Sequence, residues 1–595
     1  MRVIAYIVDQ TPPPNRILQF SLQNFSGGLN NRSEQLMENQ CSDVLNMIFA
    51  DDTVMEKRKG QKYHGNMNLS DTIRYIDEFK PYDDSNKLVV CTDSELYIDG
   101  EKITDVANVI DGVNQDGKYW FVDGENLYVY GKYPSEESTY LQIVGDHVDD
   151  YTLFKVTTPD SDHPKLGTEH VEGVLVTNYT ENTLYYLPCE NEFEDNHKAA
   201  NVVPEKPKYI VSHHGRLFLS GSERDDDNVF ISDVRRPHYF PSALPIQLPP
   251  NSDRIRGMAV YDNAVVVGRE WDIYAIHGVT NNPNLGMQTF SRSRLNTHAG
   301  FASNRAIDVA HNYLFYLGSD GNGYFLGSTK IDETNLSTHL LTRNLDVEKE
   351  PINWQLEDLT DAVSLFYQDN WYLSVKDKVL VYSYRHRAWT MFNNFNARAF
   401  YRLGHDLIWS NNSGRLVEFS DDHLDFGLPF RATWRSKFFD MDEANNYKQF
   451  KEFFLVAHTY DDIVSDIRVM FEVDFVDVRE EHNVRNMIST YGNAVWGDRF
   501  VGRNIVASLP FMLGRRGRTI RFRFTNGYFI HDMVAEYDEL LTYPNRRDYQ
   551  LFYVVADDAY YVYRDREFHL LEEGDLNQSM KVYQVNGDYE LRGKR

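Results

Sequence analysis

Cysteine is scarce in this 595-residue chain: Cys41, Cys91 and Cys189 stand far apart with no CxxC pair. An odd, scattered set argues against a disulfide framework and a cysteine-rich zinc site, and it favours folding in a reducing cytosol. No run approaches the roughly 20 apolar residues of a membrane-spanning helix. The opening MRVIAYIVDQTPPPNR meets an aspartate and a proline cluster too soon for a signal peptide. Positive charge is in deficit, with 61 Lys and Arg against 89 Asp and Glu and a formal net charge of -28. Such a field repels nucleic acid and anionic membrane on average, while leaving room for a local basic patch. A soluble protein made in the cytoplasm is the expectation. A P-loop, a dinucleotide glycine fingerprint, a nucleophile elbow, an HExxH and an EF-hand loop are all missing, which counts against the common enzyme classes. No catalytic residue, metal or cofactor is expected.

What the chain has in excess is aromatic residues, with 39 Tyr and 35 Phe, a bias that favours strands. The pattern is clearest over residues 209–326, where three units repeat strand, tight polar turn, apolar strand and glycine. In the middle unit Met258, Val260 and the run from Ala264 to Val267 flank a turn at Asp262-Asn263, and Trp271, Ile273 and Ala275 alternate with Asp272, Tyr274 and Ile276. Similar hairpins fill residues 88–428, punctuated by Asp123-Gly124, by Gln368-Asp369-Asn370 and by Asn411 to Gly414. At about 40–50 residues per blade, this span fits a β-propeller of about six to eight blades. Residues 133–168 read as an insertion or outer blade edge, and 190–201 and 222–228 as exposed loops.

After Asp421 the pattern changes. Ile467, Val469, Phe471, Val473 and Phe475 are expected on a buried face, with Arg468, Glu472 and Asp474 in solvent. Ile520, Phe522 and Phe524 repeat the device, with Arg521 and Arg523 outward. The expectation is an all-β chain: an N-terminal arm and docking segment over 1–87 that completes the propeller or a platform, a propeller over 88–428, a β-sandwich over 429–545, and a C-terminal hairpin and polar tail over 546–595 that docks on a neighbour. Within the first segment, Ser33 to Leu45 read as a short helix or loop packing Leu36, Val44 and Leu45. Gly27-Gly28 make a turn that most side chains resist.

Several local features invite chemistry and have plainer readings. Lys57, Arg58 and Lys59 suggest phosphate, but a solvated strand end accounts for them. His213-His214 face opposite ways on a strand, so a shared metal ion is not expected. Asp225, Asp226 and Asp227 lack the spacing of a calcium loop, and Ser319 to Gly323 reads as a hairpin turn. Arg515, Arg516, Arg518, Arg521 and Arg523 form the sharpest basic cluster. It suits phosphates or an acidic protein surface, and in so acidic a chain protein contact is the reading.

Four phrases carry a resemblance. They are FSGGLNNR with SDVLNMIFADDTVMEKRKG; HHGRLFLSG with VFISDVRRPHYF; AVYDNAVVVGREWDIYAIHG with GFASNRAIDVAHNYLFYLGSDGNGYFL; and the strands of 437–474 and 518–537. Their order resembles the propeller-bearing tail nozzle, or tail tubular protein B, of short-tailed bacteriophages and related tail-hub or head-completion proteins. The resemblance covers most of the chain. It departs at Ser319-Asp320-Gly321, where many relatives have a shorter turn, and in the 133–168 insert and the C-terminal tail. It implies a virion protein of the tail, made in the host cytoplasm, that forms a ring, commonly a homohexamer. That ring would surround the DNA-exit channel, touch other tail, adaptor or fibre proteins, and pass DNA without sequence-specific binding. An acidic lumen would repel phosphates and let DNA slide. The competing classes are a glycan-degrading propeller, which needs only two suitably spaced carboxylates, and a receptor-binding tail protein.

Overall fold

A computed structural model describes residues 17–591 except 33–35, 52, 83, 105–108, 133–140, 144–150, 157–172, 179–182, 189–202, 223–226, 233–236, 239, 241–244, 251–252, 283–286, 296, 328–336, 459–465, 486–506, 528, 536, 544–549, 565 and 572–580. Among these residues the only α-helix is Tyr537–Thr542, with two short 3-10 segments, so the chain is all-β. Residues 61–419 build small antiparallel sheets: a two-stranded one, Gly173–Asn178 with Thr183–Pro188, and seven in a propeller-like series whose first strands are Ile73–Phe79, Asp111–Gln115, Tyr209–His213, Ile255–Tyr261, Ile307–Ala310, Val363–Tyr367 and Ala399–Leu403. Each of these strands lies beside the first strand of the next sheet, and the last returns to lie against Ile73–Phe79.

The second strands of these sheets are buried on both faces, as in Lys118–Val122, Arg216–Ser220 and Ala264–Arg269. This follows from sheets packing face to face around a ring, which leaves a middle strand no solvent side. It also explains why alternation misleads here: Ile273, Tyr274, Ala275 and Ile276 are all buried, while Trp271 lies exposed in a turn. The turns themselves obey local rules. Asp262 and Asn263 have φ 47° and 59°, and Gln368 and Asp369 have φ 46° and 59°, the left-handed pairs required by two-residue hairpin loops.

Two larger sheets pack against this series. One runs Gly28–Leu29, Gln40–Leu45, Ala432–Ser436, Ile520–Asn526, Asp466–Val473, Val476–Arg485; the other runs Met47–Asp51, Val54–Lys57, Lys581–Leu591, Lys448–His458, Ala507–Met512. Residues 40–45 therefore form a strand where a helix or loop was expected. The closing segment likewise supplies a strand within the second sheet, flanked by Ile17–Leu22, Val54–Lys57 and Lys448–His458. A single core joins these sheets to the small ones, with Phe315, Trp371 and Trp389 continuous with Trp434, Phe453, Phe471 and Phe522. Gly28 sits at the junction with φ 63°, and a Cβ there would lie 2.7 Å from the Trp389 carbonyl oxygen. Only glycine fits both constraints. A four-stranded sheet, Phe529–Val534 with Gln550–Val554, Ala559–Arg564 and Glu567–Leu571, completes the described chain.

Three expectations of solvent-facing charge are overturned. Ile467, Val469, Phe471 and Val473 are buried as expected, but Arg468 and Glu472 are buried too. Arg468 donates to the Gly527 carbonyl at 2.7 Å. Glu472 accepts from Arg435 at 2.6 Å and from Arg521, which turns the supposed outer face into an ion-paired one. Phe475 lies beyond the strand end and is 77% exposed.

Lys57 and Arg58 are the third case, each only 1% exposed rather than solvated. The Arg58 guanidinium donates to both carboxylate oxygens of Asp425 at 2.8 and 2.6 Å, to Asn46 Oδ1 at 3.1 Å and to the Asn393 carbonyl at 3.3 Å. Its face lies 3.9 Å from the Phe430 ring centre. Burial, aided by the Arg58 charge and opposed by Asp425, pushes the Lys57 pKa down to about 7. His423 donates from Nδ1 to the Arg58 carbonyl at 2.9 Å, and burial lowers its pKa to about 4, so it is neutral at pH 7. Removing one member of a buried bidentate pair strands the other charge. Arg58→Ala is expected to lower unfolding stability in urea by about 3–5 kcal/mol, whereas Lys59→Ala changes it by less than about 0.5 kcal/mol. Equal small effects would mean that the pair does not hold the fold.

Candidate functional site

The first strands of the small sheets carry polar residues at the centre of the series. Asp111 opens the strand Asp111–Gln115 and accepts the Ile210 N–H of the next sheet at 2.9 Å. Asp308 accepts the Phe366 N–H of its own next sheet. Asn114 and the first sheet bond reciprocally, with Lys80 N–H donating to Asn114 Oδ1 at 2.8 Å and Asn114 Nδ2 donating to the Glu78 carbonyl at 2.7 Å. Side chains thus tie neighbouring sheets where backbone ladders cannot reach, because each ladder ends at its own sheet.

The 3-10 segment Asn304–Ala306 reaches across this centre. Asn304 Oδ1 accepts the Met258 N–H at 2.9 Å, and the Arg305 guanidinium donates to the Arg74 carbonyl in the first sheet, far round the series from its own. Asn304 also hydrogen-bonds Asp111. Nearby, the hydroxyls of Tyr75 and Tyr119 donate to Asp77 Oδ2 at 3.1 and 2.9 Å.

Burial sets the titration of this cluster. Asp111 keeps some residue surface open, yet its carboxylate is packed deeply enough that desolvation raises its pKa to about 7, against the lowering effect of the hydrogen bonds from Ile210, Asn304 and Gly112. Asp308 is raised to about 6 for the same reason, and Asp77 is raised as well. Burial moves the Arg305 pKa down, opposed by Asp361. The arrangement is a network of braces, with no nucleophile placed beside a general base.

On one face of the series the hairpin turns link in sequence. The His214 ring meets Asn263 Oδ1 at 2.7 Å, Tyr261 donates to the Asn312 carbonyl at 2.7 Å, the His311 ring meets Asp369 at 2.8 Å, and Tyr367 donates to the His405 carbonyl at 2.6 Å. His213 ends its strand and His214 stands in the turn with φ 50°. Asp227 pairs with Arg269 at 2.6 Å, while Asp225 and Asp226 fall outside the described residues. Asp320, in the turn of residues 319–323, accepts from Asn322 and from the Tyr324 hydroxyl at 2.7 Å. Among the described residues no group of three or more His, Cys, Asp or Glu is placed to hold a metal ion.

The arginine cluster divides in two. Arg515, Arg516 and Arg518 are exposed, while Arg521 and Arg523 are half-buried and Arg521 is engaged by Glu472. Sequence reasoning found the arginines but missed the aromatic rings among them: Arg521 lies 4.1 Å from the Phe438 ring centre and Arg518 4.9 Å from that of Tyr447. It also missed Asn304 and Arg305, whose one visible signal was a polar pair between glycine-bounded strands.

No family model and no curated protein matches the chain. Among solved structures it is similar to PorZ, a surface component of the type-IX secretion system of Porphyromonas gingivalis, at 12% identity and a TM-score of 0.32 over 65% of this chain and 44% of that one. The chain therefore spans less than half of PorZ. It is also similar to the WD40 domain of Neurospora crassa Pan2, at 8% identity and a TM-score of 0.30 over 62% and 97% of the two chains. The N-terminal domain of Nup159 matches at 10% identity and a TM-score of 0.31 over 61% and 96%. At such values these likenesses carry no argument about function.

The central carboxylates give a measurable pH dependence. The unfolded chain releases the Asp111 proton near pH 4, whereas the folded protein holds it to about pH 7. The folded state binds the extra proton, so this contribution to stability is complete below pH 4 and is lost as pH rises through 7. Asp111→Asn removes the titration, and its melting temperature relative to wild type is expected to rise between pH 5 and pH 8. A difference that stays flat across that range would show that Asp111 ionises normally.

Proposed function

We propose that this chain is a structural virion protein of a tailed bacteriophage, a tail nozzle or hub subunit that assembles with copies of itself around the DNA-exit channel and contributes to genome retention and ejection. In this reading residues 61–419 are a seven-bladed propeller whose last blade is completed by Gln61–Tyr63 on Val417–Phe419, and the two larger sheets are a β-sandwich. The protein turns nothing over, is made in the host cytoplasm and resides in the tail, where other tail, adaptor or fibre proteins adjoin it.

The observation that carries the reading is where the resembling phrases fall. FSGGLNNR supplies Gly28, wedged between the small and the larger sheets, and Phe25, packed edge-on against Trp434 at 4.9 Å. GFASNRA supplies the Arg305 brace across the centre. Phrases that hold the joints of an architecture are the ones expected to carry its likeness to a structural family. Arg305 also supports placing such a channel between copies, because a duplex whose major groove alone is about 12 Å wide does not pass an axis spanned by one arginine side chain. A net charge of -28 suits a lumen along which phosphates slide without sticking.

Cryo-electron microscopy of the purified full chain at high concentration tests this. Rings with a central opening wide enough for duplex DNA are expected. Particles of one chain at every concentration, or a product released from bacterial surface glycans and abolished by substituting one carboxylate, would overturn it.

A further inference from the structure

The chain crosses between the larger and the small sheets along residues 57–61 and returns along residues 419–432. The two crossings touch closely: a Cβ added to Gly60 would fall 2.0 Å from the Leu424 carbonyl oxygen. Three backbone bonds clasp them. Gly60 N–H donates to the Asp422 carbonyl at 2.8 Å, Ser420 N–H to the Gly60 carbonyl at 2.9 Å, and Phe426 N–H to the Gln61 carbonyl at 2.7 Å. Packing this tight leaves side chains little room to adjust, so a charge placed behind the clasp is felt by its backbone.

The side chains behind the clasp are basic. Lys57 and Arg58 face Asp425, and His423 adjoins them. Arg58, which is permanently charged, takes both Asp425 oxygens, so the carboxylate that faces Lys57 is already balanced. Lys57 Nζ lies 4.3 Å from the Phe430 ring centre and 3.2 Å from the place a Cβ on Gly527 would take. Arg468 closes that side with its bond to the Gly527 carbonyl, and Lys59 and Asp422 flank His423. A proton added to this cluster is an unbalanced charge in a water-excluded site. The way out is short. Two residues beyond Lys57, the Lys59 side chain is 53% exposed, so peeling residues 57–61 brings Lys57 to water while the shared core at Trp389 and Trp434 stays closed.

We propose that the Lys57 ammonium and, at lower pH, the His423 imidazolium form a proton-driven release of this clasp, loosening the crossings while each half stays folded. Burial and the Arg58 charge hold Lys57 at a pKa of about 7 in the closed clasp, against about 10.4 in a solvated segment. The open clasp therefore binds a proton that the closed one excludes. Its hold is full above about pH 10.4, weakens as pH falls and reaches its floor below 7. His423, lowered by burial to about 4 from about 6.5, adds a second step between those values. The sign is opposite to that of Asp111, whose raised pKa favours the folded state at low pH. The release operates within one chain, whatever that chain assembles with.

The test is amide hydrogen exchange of the full chain between pH 7 and pH 9, corrected for intrinsic exchange and followed at Gly60, Ser420 and Phe426, with Val266 in the interior of a small sheet as reference. The opening constants of the three crossing amides are expected to be about 50-fold larger at pH 7 than at pH 9, and at each pH well above that of Val266. Lys57→Met, which keeps the length and loses the charge, is expected to flatten the dependence. His423→Gln is expected to remove the further rise between pH 6.5 and pH 4. Wild-type crossing amides that open equally at pH 7 and pH 9, or a dependence that survives in Lys57→Met, would overturn the proposal. Crossing amides that open only as rarely as Val266 would also overturn it, because the proton would then act on the whole fold.

Discussion

The ion pair of Arg58 with Asp425 stands where the chain crosses twice between its two halves. Residues 57–61 carry it from the larger sheets into the small ones, and residues 419–432 carry it back. One guanidinium, buried against Phe430 and bonded to both Asp425 oxygens, fixes the two crossings to each other. Asn46 reinforces the same point, donating to the Arg431 carbonyl at 2.7 Å and accepting from Asn393 N–H at 3.1 Å. Buried ion pairs are often neutral for stability and useful for specificity. Here the specificity is topological. The pair selects the one register in which the N-terminal segment closes the last small sheet and, in the preceding residues, joins both larger ones.

Much of the local structure was legible. Paired Asp-Asn and Gln-Asp turns announced their hairpins because only a few residues tolerate left-handed backbone. Ile520, Phe522 and Phe524 announced a buried strand face because a period of two is a geometric property of strands. What was not legible is non-local. Nothing in residues 40–45 or 581–591 says that they pair with strands hundreds of positions away. The burial of Arg58, Arg468 and Glu472 was invisible for the same reason: a charge reads as solvated until the partner that neutralises it is placed. Phe475 failed in the opposite sense, since the alternation that rightly buried Val473 ends one residue later in a left-handed turn.

The centre of the small sheets follows the same economy of long-range contacts. Asp111, Asp308, Asn114 and Asn304 each satisfy a backbone group on another sheet, so a closed series of separate ladders behaves as one body. Raised carboxylate pKa values are often a mark of catalysis. At this site they accompany hydrogen bonds to backbone N–H groups and tyrosine hydroxyls, which is how a structural carboxylate is held. In the function proposed for this chain, shape, closure and field carry the role, and the hydrogen bonds of these groups help to keep the shape.

Native-state hydrogen exchange under increasing denaturant tests the joint most directly. Amides of Gln61–Tyr63, on the last small sheet, and of Gln40–Leu45, on the six-stranded sheet, are expected to converge on one opening free energy, because the same crossing holds both. If the Gln61–Tyr63 amides open at much lower denaturant while Gln40–Leu45 stay protected, the two halves close independently and the Arg58–Asp425 pair is not what unites them.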